Sequence, residues 1–176
     1  MLRPPPFVRA RSWACYPRDP DLPHPLRNAI HRFKYGRKAS YGKVLGNLMA
    51  QACEAHFEDI DVIIPVPLHP ERLRWRGFNQ AVILGRAVSR TWRVPINPFL
   101  LQRTRPTRPQ TELARRERQS NVRGAFTINP KRSVKRQQLL LVDDIYTSGA
   151  TVKECSRVLL RAGARSVQVF TLGRTV

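Results

Sequence analysis

Two adjacent carboxylates, followed by a short run of small hydroxyl residues, carry the clearest chemical signal in this chain. Asp143 and Asp144 directly follow the apolar residues 139–142. A continuous apolar run of this kind is typical of a strand buried on both faces of a parallel sheet. Because open α/β sheets bind ligands at the carboxyl ends of their strands, the two acids stand where a ligand is expected.

The loop after the acids has the composition of a phosphate-binding turn that opens a helix. It consists of Thr147, Ser148, Gly149, Ala150 and Thr151. Successive backbone N–H groups, with the positive end of a helix behind them, suit a phosphate dianion. Gly149 lets the backbone approach the ligand closely, and the hydroxyl groups of the loop add donors.

The acids would repel phosphate, so their expected partners are hydroxyl groups, such as those of ribose, or a magnesium ion. A 5-phosphorylated ribose would satisfy both halves of the site with one molecule. The structural alternative is a tight strand–helix turn in which Asp143 or Asp144 caps the helix. That alternative leaves two adjacent acids at the end of an apolar strand without a ligand, which is costly. Neither GxxxxGK(S/T) nor GxGxxG occurs in the chain.

Residues 139–151 resemble the phosphoribosyl pyrophosphate (PRPP) motif of type I phosphoribosyltransferases, since four apolar residues, two acids and a Thr/Ser-Gly loop follow in that order. From about residue 26 onward the chain also resembles the ComF competence-protein family. The matching residues are Lys34-Tyr35, the run 64–70 (IPVPLHP), Arg72, Arg74, the run 76–80 (RGFNQ), Arg103, Gln110-Thr111, Leu113, Arg118 and the run 121–126 (NVRGAF). These resemblances imply an α/β fold: a type I phosphoribosyltransferase-like parallel sheet flanked by helices, with a small N-terminal helical cap.

The family resemblance implies a protein that binds PRPP, or another phosphorylated ribose, with Mg²⁺ and takes part in uptake or processing of transforming single-stranded DNA. It also suggests a DNA-uptake helicase as a partner and allows a homo-oligomer. Two alternatives stay open: an active phosphoribosyltransferase of nucleotide metabolism with an unknown acceptor, and a catalytically silent nucleotide-sensing regulator. Many ComF-like proteins carry an N-terminal four-cysteine zinc module. This sequence lacks it, through true absence or truncation, so no zinc site is expected.

The resemblance also implies a pyrophosphate side of the site, after the first buried strand. A leaving group with several negative charges needs cationic groups as well as magnesium. The arginines of this segment alternate, so they would share one face only if the segment is extended; a solvated basic loop is the alternative. The candidate residues are Pro67, Leu68, His69, Arg72, Arg74 and Arg76.

Residues 103–123 form a long polar stretch with seven arginines and two glutamates, hence a local charge of +5. Related transferases have a mobile lid here that closes over substrate and excludes water. The arginines would then reach pyrophosphate, or else follow a nucleic-acid backbone. The candidates are Arg103, Arg115, Arg116, Arg118 and Arg123. Trp13, Trp75 and Trp92 are available for base stacking, with simple packing as the alternative.

Hydropathy patterns predict the elements that position these residues. The proline-rich stretch 1–25 predicts an extended segment, and 3–4-residue spacing predicts helices from Leu26, over 41–57, over 77–93 and over 151–162. We expect the buried face of the second helix at Val44, Leu45, Leu48, Met49, Ala52 and His56. Strands are predicted at 61–67, 96–101, 125–128, 139–142 and 167–172. Residues 1–58 would form the N-terminal extended segment and helical cap, and residues 59–176 the phosphoribosyltransferase-like domain, within one structural unit.

The charge balance points to an anionic partner. Among 176 residues, 32 Lys and Arg against 12 Asp and Glu give a net charge of +20, carried by 26 arginines and 6 lysines. The positive charges of such a surface repel one another unless an anion neutralises them, and the arginine guanidinium donates hydrogen bonds well to phosphate oxygens. The alternative is a genome-wide preference for arginine on a solvated surface.

No apolar run has the length of a membrane span. The three distant cysteines predict neither a disulfide framework nor secretion, so we expect a cytoplasmic protein.

Overall fold

The fold consists of alternating strands and helices in a computed structural model, which describes residues 4–19, 22–36, 38–53, 57–108 and 114–176. In chain order the elements are β1 (Arg9–Tyr16), α1 (Pro25–Tyr35), α2 (Ala39–Cys53), β2 (Val62–Pro65), α3 (Pro70–Arg76), α4 (Gln80–Trp92), β3 (Leu101–Arg103), α5 (Arg115–Val122), β4 (Phe126–Ile128), β5 (Gln138–Tyr146), α6 (Ala150–Arg161) and β6 (Ser166–Thr175). None of the helices in these ranges has the length and apolar character needed to cross a bilayer.

A parallel sheet with the strand order β1-β6-β5-β2 forms the centre of the molecule, and β3 and β4 pair antiparallel outside it. Alternate residues of β5 enter two different cores. Leu139 and Leu141 pack in the core that α6 covers, whereas Leu140 and Val142 pack in the core under α1, α2 and α4. Both faces of β5 are therefore buried, and the predicted parallel sheet flanked by helices is confirmed.

The parallel pairing of β2 with β5 places the candidate site residues at one edge of the sheet. Pro65, the last residue of β2, pairs with Val142, and β5 continues beyond this level to Tyr146. Residues 66–68 after β2 and residues 143–147 at the end of β5 consequently meet at this edge. The loop that follows β5 leads into α6 at Ala150, and α6 returns along the sheet to β6.

The proline-rich N-terminal segment contributes a strand that the sequence did not reveal. Residues 9–16 pair in parallel with β6, from Arg9 opposite Gln168 to Tyr16 opposite Thr175. The prolines stop at Pro6 and resume at Pro17, so they border the strand without removing any of its hydrogen-bond donors. β1 thus belongs to the main sheet. The division of the chain at residue 58 stays a prediction.

The buried face of α2 differs from the predicted one. Val44 and Leu48 are 61% and 43% exposed, while Leu45 and Met49 are buried beside glycine. Gly46 faces α4 so closely that a side-chain carbon there would lie 2.8 Å from the Cβ of Ala87. The apolar spacing does not reveal this buried face of α2, because the residue that lets α2 and α4 approach each other is a glycine, which has no apolar side chain. The helix is described to residue 53, so His56 of the predicted face lies outside the described residues.

Two segments predicted to be irregular contain helices. Residues 70–76 form α3, with Pro70 at the first helical position and Gly77 ending the helix at φ +84. The predicted loop 103–123 begins in β3 and includes α5, and the strand predicted at 96–101 is observed at 101–103. Elsewhere the predicted helices and strands are confirmed with small shifts at their ends.

We predict that Gly46→Leu lowers the free energy of unfolding by about 1–3 kcal/mol, because the added side chain overpacks the contact between α2 and α4. Urea denaturation measures the change. Val44→Leu is the matched control, since it introduces the same residue at an exposed position of the same helix and should shift stability by less than about 0.5 kcal/mol. Equal shifts for the two variants would contradict the close helix packing.

Candidate ligand-binding site

A cavity of about 170 Å³ opens at the carboxyl ends of β2 and β5. Its wall combines the segment after β2, the end of β5, the start of α6 and the last turn of α1. The charged residues that line it are Lys34, Arg72, Arg76, Arg103, Arg108, Arg118, Asp143 and Asp144. Six cations against two carboxylates give the cavity an excess of positive charge, which favours an anionic ligand.

Asp144 is the centre of a buried polar network at the base of this cavity. It is 5% exposed, and its Oδ2 lies 2.8 Å from Nζ of Lys34. The side-chain amide of Gln80 donates to the same oxygen at 2.8 Å, and Nη1 of Arg76 donates to Oε1 of Gln80 at 2.6 Å. Burial raises the pKa of Asp144, but Lys34, Gln80 and Arg76 outweigh it and hold the pKa below its usual range. Asp144 is therefore a charged carboxylate whose Oδ2 has two partners.

Asp143 has a different environment although it is adjacent in the chain. Its Oδ1 accepts a hydrogen bond from the backbone N–H of Asp144 at 2.8 Å, and the described residues give it no ion pair. Burial, followed by the negative charge of Asp144, raises the pKa of Asp143 to about 7 against the smaller effects of Lys34 and Arg103. Near neutral pH this carboxyl group can thus take up a proton, accept a hydrogen bond from a ligand hydroxyl group or bind a cation.

The loop between β5 and α6 is the predicted glycine turn that leads from a strand into a helix. Gly149 adopts a left-handed conformation at φ +73, and α6 begins at the next residue. A side-chain carbon at Gly149 would also collide with the Tyr146 ring, so both the backbone conformation and the lack of space require glycine here. The loop residues that line the main cavity are Thr147, Gly149, Ala150 and Thr151. Ser148 instead lines a smaller adjoining cavity with Arg18 and Arg118, and its Oγ accepts a hydrogen bond from the backbone N–H of Ala150 at 3.4 Å.

The pyrophosphate-side residues divide into two groups because α3 is a helix. Arg72 and Arg76, four residues apart, both line the cavity with Pro67 and Leu68. A shared face of three arginines required an extended segment, and the segment is a helix. Arg74 is exposed away from the cavity lining, and His69 precedes α3 with its Nδ1 3.6 Å from Oε2 of Glu71.

Arg76 is the most deeply buried of these cations. It is 2% exposed, and its Nε has no hydrogen-bond partner among the described residues. Burial lowers the pKa of Arg76, which the charge of Asp144 partly offsets. A buried guanidinium with an unused donor beside a cavity can bind an additional anionic or polar group.

The arginines of the predicted loop also separate in space. Arg103 lies in the cavity wall with its guanidinium 5.3 Å over the Phe126 ring, and Arg118 lines both cavities. Arg123 is outside the cavity lining, and its carbonyl accepts a hydrogen bond from Nη2 of Arg105 at 2.9 Å. Arg115 and Arg116 begin α5, but their side chains lie outside the described part of the structure.

Lys34, Tyr35, Gln80 and Arg108 line the cavity without having been assigned to the site from the sequence. Lys34 and Gln80 are 110 and 64 positions away from the acid that they contact, a separation that local patterns do not bridge. Lys34 and Gln80 could have been found from the sequence only because they lie in the runs that resemble the ComF family. That resemblance pointed to the residues but did not give them a role.

Comparisons with known proteins agree with this geometry. The chain is 34% identical over 181 residues to DNA utilization protein YhgH of Escherichia coli (strain K12), covering 100% of this chain and 76% of that protein. It is 32% identical over 156 residues to Competence protein F of Haemophilus influenzae, covering 85% of this chain and 68% of that protein. No protein-family model matches the chain.

Among solved structures, a glutamine PRPP amidotransferase from B. subtilis matches 77% of this chain with a TM-score of 0.50 and 23% identity. The matched part is 26% of that larger chain, so the likeness concerns the fold alone. The parallel sheet flanked by helices agrees with this likeness, so the chain has a type I phosphoribosyltransferase-like fold. The identity and coverage of the sequence relatives establish that the chain belongs to the ComF family.

Proposed function

We propose that this protein binds PRPP, or another 5-phosphorylated ribose, together with Mg²⁺, and takes part in the uptake or processing of transforming single-stranded DNA. The observation that supports the ligand is a single cavity in which a carboxylate pair and a glycine loop at a helix N-terminus lie among six cations. A phosphorylated ribose brings both hydroxyl donors and phosphate anions, and so matches both kinds of group.

Each part of the ligand has a matching part of the cavity. The 5-phosphate would accept hydrogen bonds from backbone N–H groups of 147–151, where the first turn of α6 has donors without helical partners. The ribose hydroxyls would donate to Asp143, because Asp144 already accepts from Lys34 and Gln80. Further phosphates would lie toward Pro67 and Leu68, between Arg72 and Arg76.

The donor groups fit a magnesium ion that arrives with the ligand. No group of three or more His, Cys, Asp or Glu side chains in the described ranges could hold a metal alone. Asp143 can supply a carboxylate oxygen, and the phosphates of PRPP would supply most of the others, as Mg²⁺ commonly requires. When bound, the ion would neutralise charge on the pyrophosphate group.

The proposed DNA role comes from the named relatives and from charge. One relative is called a DNA utilization protein and another a competence protein. The net charge of +20 exceeds the charge of the cavity lining, so further arginines, with Arg115, Arg116 and Arg123 as candidates, are available for a strand backbone. A cytoplasmic location and a DNA-uptake helicase partner belong to the same proposal.

Catalysis is the second candidate function, and the two carboxyl groups favour it. Adjacent acids with pKa values displaced in opposite directions are typical of sites that carry out proton transfer. In this case the protein would transfer the phosphoribosyl group to an acceptor and release pyrophosphate. Release of pyrophosphate from PRPP on adding an acceptor distinguishes a transferase from a regulator that only binds.

We predict that Asp143→Asn combined with Asp144→Asn weakens PRPP binding at least about tenfold, because the acceptors for the ribose hydroxyls and the ligand-borne cation are lost. Isothermal titration calorimetry with and without Mg²⁺ measures the affinity. Asp143→Asn alone is the safer variant for folding, since Asp144→Asn leaves the buried Lys34 without its partner. Unchanged affinity in both folded variants would refute the ribose assignment.

We predict that PRPP affinity rises between about pH 6 and pH 8 as Asp143, with a pKa of about 7, becomes ionised. In the protein without ligand, ionisation of Asp143 lowers the stability of the fold. Because the pKa of Asp143 in the folded protein lies above the ordinary value of 3.8, the free energy of unfolding falls as pH rises between those two pKa values. Phosphate itself titrates near pH 6, so Asp143→Asn is the control that retains only the ligand's own pH dependence. Identical profiles for the two proteins would contradict a role for Asp143.

We predict that binding of single-stranded DNA weakens with salt by a log–log slope of about −0.7 per neutralised phosphate. Arg115→Ala with Arg116→Ala should make the slope shallower by about 1.4 and leave ribose 5-phosphate affinity nearly unchanged. Arg161→Ala with Arg165→Ala is the matched control, because Arg161 ends α6 and Arg165 directly precedes β6, so both exposed residues lie at the opposite edge of the sheet. Equal losses for DNA and ribose 5-phosphate would indicate misfolding instead of a separate DNA surface.

A further inference from the structure

Trp75 and Tyr35 form an exposed aromatic pair at the rim of the cavity. Their ring centroids are 6.3 Å apart in an edge-on arrangement, and they are 53% and 42% exposed. Tyr35 lines the cavity directly, and Trp75 belongs to α3 between Arg72 and Arg76, which line it as well. The pair therefore borders the same opening that would admit the sugar and its phosphates.

The other two tryptophans pack in the core. The indole N–H of Trp92 donates to the carbonyl of Ala50 at 2.8 Å, and its ring stacks on Phe170 at 5.5 Å. Trp13 packs against the same core. Core packing thus explains Trp13 and Trp92, whereas more than half of the Trp75 surface faces solvent.

The surroundings of the pair are cationic. The last turn of α1 carries Arg32 and Lys34, and the last turn of α3 carries Arg74 and Arg76. The Arg76 guanidinium lies 5.7 Å from the centre of the Tyr35 ring, which fixes this ring against the polar base of the cavity. Exposed aromatic rings interleaved with basic residues are characteristic of surfaces that stack nucleobases beside a phosphate backbone.

We propose that Trp75, supported by Tyr35, is the stacking platform for a nucleobase whose sugar-phosphate occupies the cavity. The ligand class is a nucleotide, either free or at the end of a single strand. This inference rests on the proposed function, to which it adds the base site. A protein partner fits less well, because cationic residues dominate the helix turns beside the rings and Leu73 is the one exposed aliphatic neighbour described on α3.

The test compares three probes on the intact chain: ribose 5-phosphate, thymidine 5′-monophosphate and a 5′-phosphorylated oligo(dT) single strand. Trp75→Ala should weaken the two base-containing probes by about fivefold or more and leave ribose 5-phosphate within about twofold. Trp75→Phe should retain most of the affinity, because an aromatic face remains. Leu73→Ala, an exposed apolar neighbour on the same helix, is the matched control and should bind all three probes normally.

Fluorescence gives a readout that a merely structural role would not change. A base stacked on Trp75 should quench tryptophan emission, and the quenching should disappear in Trp75→Phe, which still contains Trp13 and Trp92. If ribose 5-phosphate binds normally but Trp75→Ala leaves all three affinities unchanged, the base platform is overturned and the proposed ligand site stands. If ribose 5-phosphate fails to bind while oligo(dT) still quenches Trp75, stacking is supported and the ribose site is overturned.

Discussion

The end of β5 carries two adjacent carboxylates on a strand that is buried on both faces, and the free-energy cost of that burial determines what surrounds it. Asp144 is stabilised by Lys34 from α1 and by Gln80 from α4, which Arg76 from α3 holds in turn. Two helices that are separate in sequence thus supply partners for one oxygen, and a third helix holds one of those partners in place. Because removing any one partner would leave an uncompensated buried polar group, this contact couples the N-terminal helices to the edge of the sheet.

The same network leaves Asp143 less well compensated, and this imbalance is what suits the site to a ligand. Its pKa of about 7 reflects burial beside a neighbouring charge. A protein selected for stability alone would pair both acids or replace one, so the strained position of Asp143 is expected at a functional site. A ligand that supplies hydroxyl donors and a cation would relieve the strain, and part of its binding free energy would come from that relief.

Local sequence signals predicted the half of the site that is contiguous in the chain. The apolar run, the acids and the glycine loop lie within 139–151, and β5, the turn and α6 form where the pattern indicated. The other half depends on tertiary contacts, since Lys34 and Gln80 reach Asp144 only after α1 and α4 pack on the sheet. The arginine spacing left the conformation of its segment open, and Pro70 and Gly77 delimit a helix there. The α2 face was misjudged because glycine, which has no hydropathy signal, marks the contact with α4.

The distribution of charge within the cavity restricts the ligand more than its volume does. A simple phosphate would satisfy the loop and the arginines but would be repelled by the acid pair, and a neutral sugar would satisfy the acids but leave the buried Arg76 donor unused. A molecule with hydroxyl groups at its centre and phosphates on both sides matches the order glycine loop, carboxylates, Arg72 and Arg76. This order follows from topology, since β5 supplies the acids and the loop while β2 leads into the helix that carries the arginines. The parallel pairing of these two strands therefore places the acids, the glycine loop and the helix that carries the arginines around one cavity.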